Sequence, residues 1–310
     1  MAQIDRALRS NIKLRHLQLV VALDEFRHLG RTAEFLSVSQ PAVSRMLAEV
    51  ENMLGLSLFD RSTRGSEPTA SGRAIVHFAR SVLAEYERTR DEIAAEESGA
   101  AGRTRVGAMV VALPTLLAKA VLLLKQRSAR ATVLVEEGDL THLLPKLRLG
   151  ELDLFVGRLE PGYAAPDLDT EALYNEPMVA VLRPGHPLVD KARVTWADLA
   201  VLPCVLPPPW ASLRVKLEQE FHRHGLHPPV DVIETSSFLA QAVFVQQRDA
   251  VAFMARSVAR HFAGEGLVAV LKLKVPVELP HIGLITVRGR RLTATTQQLM
   301  DCLRQAAKAR

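Results

Sequence analysis

The run Ser39-Gln40-Pro41-Ala42-Val43-Ser44-Arg45 holds side chains of the types that read nucleic-acid bases. Val43, Leu47, Val50 and Leu54 repeat at i, i+4, i+7 and i+11, which is one buried stripe of a helix. Gln40, Pro41, Ser44, Arg45 and Ala48 then lie on the opposite face. In a major groove, glutamine can pair with adenine, arginine can bond guanine twice or reach phosphate, and serine suits several base edges. Pro41 can pack on a thymine methyl. On an arbitrary amphipathic helix such a face is simply solvated, so its partner has to come from context. Arg61 and Arg64 in DRSTRGSE could enter a minor groove or sit on phosphates. Arg31 and Thr32 open another short helix, where free backbone N–H groups favour phosphate, although Arg31 serves equally as a surface charge.

A second group of polar residues lies in the C-terminal two thirds. Ligands of α/β lobes sit beyond the carboxyl ends of strands, close to helix starts. That places Leu113–Thr115, Gly138–Thr141, Arg158, Pro207–Ser212 and Thr235–Phe238 near a cleft. The candidate contacts are Thr115, Thr141, Arg158, Trp210, Ser212, Thr235, Ser236 and Ser237. Hydroxyls at a helix start suit an anion, Arg158 could neutralise a carboxylate, and Trp210 could stack on a ring. Each has a plain structural alternative: Ser236 as an N-cap, Trp210 as packing, Arg158 as an interlobe charge. His222, His224 and His227 read as a solvated helix end, because their spacing does not converge on a metal. Cys204 and Cys302 are far apart and outside any CxxC pair, so two inert buried thiols are expected. No catalytic triad, phosphate-binding glycine loop or zinc-protease motif occurs, so neither an enzyme nor a cofactor or metal is expected.

Several elements must position these groups. Leu14, Leu17, Val20 or Val21, and Leu23 mark a first helix, followed by a short loop at Arg27-His28. Leu29–Leu36 forms a second helix, with Ala33 and Leu36 inward. The third is capped by Ser39, has Pro41 in its first turn and stops at Gly55. The three-residue link Ser37–Ser39 makes the pair a helix-turn-helix. LSLF and Pro68-Thr69 flank DRSTRGSE as a hairpin, or wing, with Arg61 and Arg64 at its tip. A long helix over about Ala70–Glu97 carries a heptad seam of Ile75, Ala79, Val82, Tyr86, Thr89 and Ile93, suited to pairing two subunits. SGAAG at 98–102 is a hinge-like break. Beyond it, strands and helices alternate, and the strands are continuous apolar runs expected to be buried on both faces of a mainly parallel sheet. Two such sets, joined by extended segments at 168–183 and 267–288, give two lobes with a cleft.

The chain has 310 residues, 48% hydrophobic and 24% charged, enough for two or three globular domains without disulfide or metal staples. No apolar run is long enough to span a membrane, and the charged N-terminus lacks a secretory signal, so a cytoplasmic location is expected. The net charge of +5 is unevenly spread. Residues 1–80 carry 11 basic and 8 acidic groups, and residues 81–98 carry 2 and 6. The acidic stretch separates two basic blocks, as at a change of role.

The segment AEFLSVSQPAVSRMLAEVENMLGLSLFDRSTRGSEPTASG closely resembles the LysR-type transcriptional regulators. The resemblance rests on Leu36, Ser39–Ser44, Leu54-Gly55, Leu58-Phe59, Arg61, Thr69 and Gly72, with GELDLFVG and Pro-Gly-His-Pro-Leu at 184–188 as landmarks farther on. The wording of HLGRTAEFLSVSQPAVS is most similar to the subgroup of protocatechuate-pathway and sugar-uptake regulators. The resemblance implies an α+β protein in three parts. These are a winged helix-turn-helix over 1–69, a linker and dimerisation helix over 70–98, and a two-lobed α/β effector domain, like a periplasmic binding protein, over 99–310. Lobe 1 covers about 103–174 and 276–310, and lobe 2 about 175–275. Implied partners are double-stranded operator DNA, a small organic and preferably anionic effector, a second copy with doubling to a tetramer, and RNA polymerase. The sequence departs from the family at Arg27-His28, where many members have Gly-Ser, and at Met109–Pro114, where a hydroxyl often follows the first strand of the effector domain. The competing reading, a small-molecule binder or enzyme with a two-lobed body, has no use for the SQPAVSR helix and the wing arginines.

Overall fold

The computed structural model describes residues 2–62, 65–98, 102–209 and 211–309. They divide into two compact units: residues 1–100 with 148–152, and 101–147 with 153–310.

The first unit opens with α1 (Ala2–Arg6), extended by a π-turn to Asn11, followed by α2 (Leu14–Phe26), α3 (Leu29–Phe35) and α4 (Gln40–Leu54). The hairpin strands β1 (Phe59–Ser62) and β2 (Gly65–Pro68) come next, then α5 (Ala70–Ser98). Val43, Leu47 and Val50 of α4 are fully buried with Leu19, Val20 and Leu23 of α2. Each such side chain contributes roughly 1.5–3 kcal/mol. The ends of α4 follow from local chemistry. Ser39 Oγ accepts from Ala42 N, Pro41 lies in the first turn, and Gly55 takes φ 68° at the C-terminus.

The turn before α3 is built unusually. Arg27 takes a left-handed φ of 52° without being glycine, a conformation costing on the order of 1–2 kcal/mol. Its surroundings hold it there. The guanidinium pairs with Asp24 and Glu67, and its carbonyl accepts Ser66 N at 2.9 Å. His28 then caps α3, its Nδ1 accepting from Gly30 N at 3.1 Å and Arg31 N at 3.4 Å. The departure from Gly-Ser is therefore answered by an ion pair and an imidazole cap.

The second unit holds two five-stranded sheets. The first is ordered β4-β3-β5-β12-β6, from β3 (Arg103–Ala108), β4 (Thr132–Glu137), β5 (Leu154–Arg158), β6 (Leu168–Tyr174) and β12 (Ile282–Val287). Strands β4, β3 and β5 run parallel, and β12 is antiparallel to β5 and β6. The second is ordered β11-β7-β10-β8-β9, from β7 (Met178–Leu182), β8 (Cys204–Leu206), β9 (Val232–Glu234), β10 (Val251–Ala255) and β11 (Ala269–Val270). Strands β10, β8 and β9 are parallel, and β7 is antiparallel to β10 and β11. Helices α6 (Ala118–Arg127), α7 (Leu140–Leu149) and α13 (Ala294–Lys308) accompany the first sheet. Helices α8 (Pro187–Asp190), α9 (Trp196–Ala200), α10 (Ser212–Arg223), α11 (Phe238–Arg248) and α12 (Arg256–Gly264) accompany the second. One buried apolar cluster runs through both, from Val106, Leu154 and Leu284 to Leu206, Phe253 and Val258.

Five expectations need correction. Strand β4 is not buried on both faces: it is an edge strand, and Leu134 and Val135 are exposed. The long apolar run at 267–275 yields only the two-residue β11. Leu14 is exposed while Leu19, five residues on, is buried. The wing strands lie inside DRSTRGSE, so Arg61 sits in β1 opposite Ser66 rather than at the tip. The seam of the long helix is divided: Ile75 and Ala79 at its start are buried within their own unit, while Tyr86 and Ile93 farther on are exposed. Both cysteines are free and buried, and burial pushes the Cys204 thiol up to about 12, so it stays protonated at neutral pH.

Candidate nucleic-acid interface and ligand cleft

With Val43, Leu47 and Val50 inward, Gln40, Pro41, Arg45 and Ala48 are exposed on α4, and Ser44 is half-buried beside them. Arg45 Nε donates to Pro41 O at 3.4 Å, which folds the guanidinium back over the first turn of the same face. Arg31 is exposed, but its backbone N–H is already taken by His28. Thr32 is not available to phosphate: it is fully buried and donates its hydroxyl to His28 O at 2.9 Å. The Arg61 side chain, Arg64 and Trp210 lie outside the described residues. Sequence reading missed His28, whose spacing from Gly30 and Arg31 is that of a side-chain cap.

Beneath this face, His16 has no solvent exposure. Its Nδ1 accepts from Lys13 N at 3.2 Å, starting α2. Burial is the largest influence on the imidazole and holds it below its ordinary value of 6.5, against a smaller pull from Glu49. The unfolded chain thus takes up a proton near pH 6.5 that the folded protein resists. The stability this gives is complete above about pH 6.5 and is lost as pH falls below that value. Protection of the α2 amides relative to their intrinsic exchange rates, measured on the full chain, is expected to fall between pH 7 and 5.5. The fall should vanish in His16→Gln; an equal fall in that variant would remove His16 as its source.

In the second unit, the carboxyl ends of β3, β4 and β5 and of β8 and β9 present the other candidates. Thr115 lies half-buried in a π-turn, Leu113–Leu117. Thr141 is exposed and donates to Asp139, which itself accepts His142 N at 3.1 Å at the start of α7. Thr235 Oγ1 accepts Ser237 N at 3.1 Å. The cap of α11 is Ser237, which accepts from Ala240 N, and not Ser236, which is exposed. Ser212 Oγ donates to Glu160 Oε1 at 3.2 Å, linking the start of α10 to the residue just past β5.

Arg158 departs from expectation. It is 6% exposed and donates to Pro280 O at 2.9 Å and to Glu176 O at 3.4 Å, with Met178 Sδ at 3.7 Å. Those acceptors lie on the two segments that join the sheets. Burial lowers the guanidinium from its usual range, with Glu160 and Glu176 opposing. Its bonds tie the crossovers together, so it does not stand as a cation aimed at a ligand. Glu176, another residue the sequence reading missed, accepts Ser257 N at 3.0 Å from α12. Among the described residues, no group of His, Cys, Asp and Glu is placed to hold a metal. His224 stacks on Trp196 at 5.5 Å instead.

Comparison with known proteins follows this division. Residues 14–73 match the family described as bacterial regulatory helix-turn-helix protein, lysR family. Residues 97–308 match the LysR substrate binding domain. The chain is 32% identical over 303 residues to the HTH-type transcriptional regulator GbpR of Azospirillum brasilense, covering 97% of this chain and 88% of that one. It is 29% identical to PcaQ of Agrobacterium fabrum, covering 96% and 95%. The crystal structure of CbnR, a LysR family transcriptional regulator, superposes with a TM-score of 0.73 at 19% identity, covering 96% and 99%. CbnR complexed with its target DNA gives 0.71 at 20%, covering 95% and 100%. At that identity these structures speak to the fold alone.

Proposed function

The chain belongs to the LysR family of DNA-binding transcriptional regulators, and from that premise we propose that α4 reads operator bases while the second unit senses a small organic anion. The observation that carries the first half is the exposed Gln40, Pro41 and Arg45 face set against a fully buried Val43, Leu47 and Val50 stripe. In our reading α4 lies in the major groove, Gln40 and Arg45 meet base edges, and Arg31, Arg61 and Arg64 meet phosphates or the minor groove. Retardation of a duplex selected from a random pool tests this.

For the second half, support comes from the hydroxyls of Ser212, Ser236 and Ser237 at the carboxyl ends of β8 and β9. An effector changes operator affinity only by its differential affinity for two states, roughly 1–3 kcal/mol in typical coupling. Reciprocity then requires operator DNA to change effector affinity by the same factor. We take the place of action to be the cytoplasm, where the DNA is, with RNA polymerase as the machinery regulated.

The family forms oligomers, and we assign the dimer to α5. Tyr86 and Ile93 are exposed and, with Thr89, Arg90 and Ala94, line a mostly apolar groove of about 330 Å³. A second contact through the effector units would double the dimer to a tetramer. Tyr86→Asp/Ile93→Asp places charge where a partner would bury it. The dimer dissociation constant is expected to rise at least about a hundredfold, or roughly 2.7 kcal/mol. Because both positions are exposed, the folded unit should survive. Sedimentation showing the wild-type oligomer at low micromolar concentration would exclude α5 as the interface.

A further inference from the structure

We propose that Glu160 is a tethered carboxylate that occupies Ser212 in competition with an anionic effector, so that effector binding must displace it. The proposal rests on the reading of the cleft given above, and adds its regulation.

Glu160 stands two residues beyond β5, on the side of the first sheet, and Ser212 opens α10, beside the second. Their side-chain hydrogen bond of 3.2 Å therefore spans the two halves of the second unit. The N-cap residue of α10 is Ala211, which has no side-chain acceptor to offer. The carboxylate comes instead from across the cleft, at the end of a twelve-residue helix where negative charge is favoured. Arg158, two residues back, is consumed by Pro280 and Glu176. The Arg158 charge still attracts Glu160, but its N–H groups are taken, so the hydrogen bond of Glu160 goes to Ser212.

The consequence follows from charge and connectivity. Two carboxylates cannot share one hydroxyl donor without repulsion, so an incoming carboxylate and Glu160 exclude one another at Ser212. Because Glu160 is part of the chain, it competes at a fixed effective concentration and raises the effector concentration needed. Displacing it also breaks a bond between the two sheets' ends, which links occupancy of the cleft to the set of the two halves. A neutral acceptor can also take the Ser212 hydroxyl, but only an anion adds charge repulsion that drives Glu160 out.

The experiment compares full-length wild type, Glu160→Gln and Glu160→Ala. Alanine removes both charge and acceptor, whereas glutamine keeps an acceptor without charge. Amide hydrogen exchange at residues 212–215 reports how firmly the bond holds the first turn of α10, and faster exchange is expected in Glu160→Ala. Thermal shift with sodium acetate, benzoate and citrate, against sodium chloride of equal ionic strength, reports competition. At least one carboxylate is expected to half-saturate Glu160→Ala at a concentration ten or more times lower than wild type, with Glu160→Gln between. Unchanged exchange in Glu160→Ala, or equal half-saturation in all three chains, overturns the proposal and leaves an anion cleft standing. If no chain responds to any of the carboxylates, the anion reading itself fails, and the proposal with it.

Discussion

Arg45→Ala is expected to weaken binding to a selected operator duplex ten- to a hundredfold while leaving the helical content and melting temperature unchanged. The magnitude is that of one good base contact, about 1–3 kcal/mol. The fold should be indifferent, because Arg45 is exposed and its only described bond is a 3.4 Å contact to Pro41 O. A phosphate role and a base role separate by sequence dependence. If Arg45 reads a base, the loss is concentrated on duplexes carrying that base. If it touches phosphate, all duplexes lose affinity alike and the salt dependence flattens. Retention of wild-type affinity in a gel-shift titration would take Arg45 out of the interface.

Gly72→Ala is expected to disable the wing. A Cβ at Gly72 would stand 1.9 Å from Leu58 O and 2.9 Å from its carbonyl carbon, both backbone atoms that cannot swing aside. The same junction is held by Thr69, whose N–H donates to Leu58 O at 2.9 Å, whose hydroxyl donates to Ser57 O at 2.8 Å, and whose Oγ1 accepts Gly72 N at 2.9 Å. Forcing α5 away from β1 strains all of these. Overpacking of this kind costs about 1–3 kcal/mol or more. Operator affinity should fall with it, because the hairpin is carried on that junction. Amide exchange across 57–69 and a melting curve check this; wild-type values for both would show that the backbone accommodates the methyl.

These two sites show what the sequence made legible. The stripe of Val43, Leu47, Val50 and Leu54, with Ser39 and Gly55 at its ends, is a local pattern, and the structure reproduces it residue by residue. Thr69 and Gly72 were readable only as signature residues; their reason is a close backbone approach from Leu58 that no periodicity encodes. The same limit explains the errors. An edge strand such as β4 has the composition of a central one, because burial is decided by neighbours far away in sequence. Ile75 and Ala79 fit a heptad, yet the heptad does not say whether the seam faces a partner or its own core. Thr32 sits at a helix start, but its burial depends on how α3 packs. Arg158 lies at a strand end facing the cleft in sequence terms, while its bonds go to segments 18 to 122 residues away. Glu160, only two positions farther, was open to discovery from the strand direction alone.

If α4 reads bases, it specifies particular positions of the DNA. The decisive measurement is a selection of binding duplexes from a random pool by wild type and by Gln40→Ala, with both pools sequenced. For wild type the account predicts a motif of two related half-sites set one helical turn or a multiple apart, as a symmetric pair of such helices requires. For Gln40→Ala it predicts the same motif with preference relaxed at one position, an adenine in each half-site, and retained elsewhere. Identical motifs with identical preferences from the two proteins, or no motif from wild type, would contradict it.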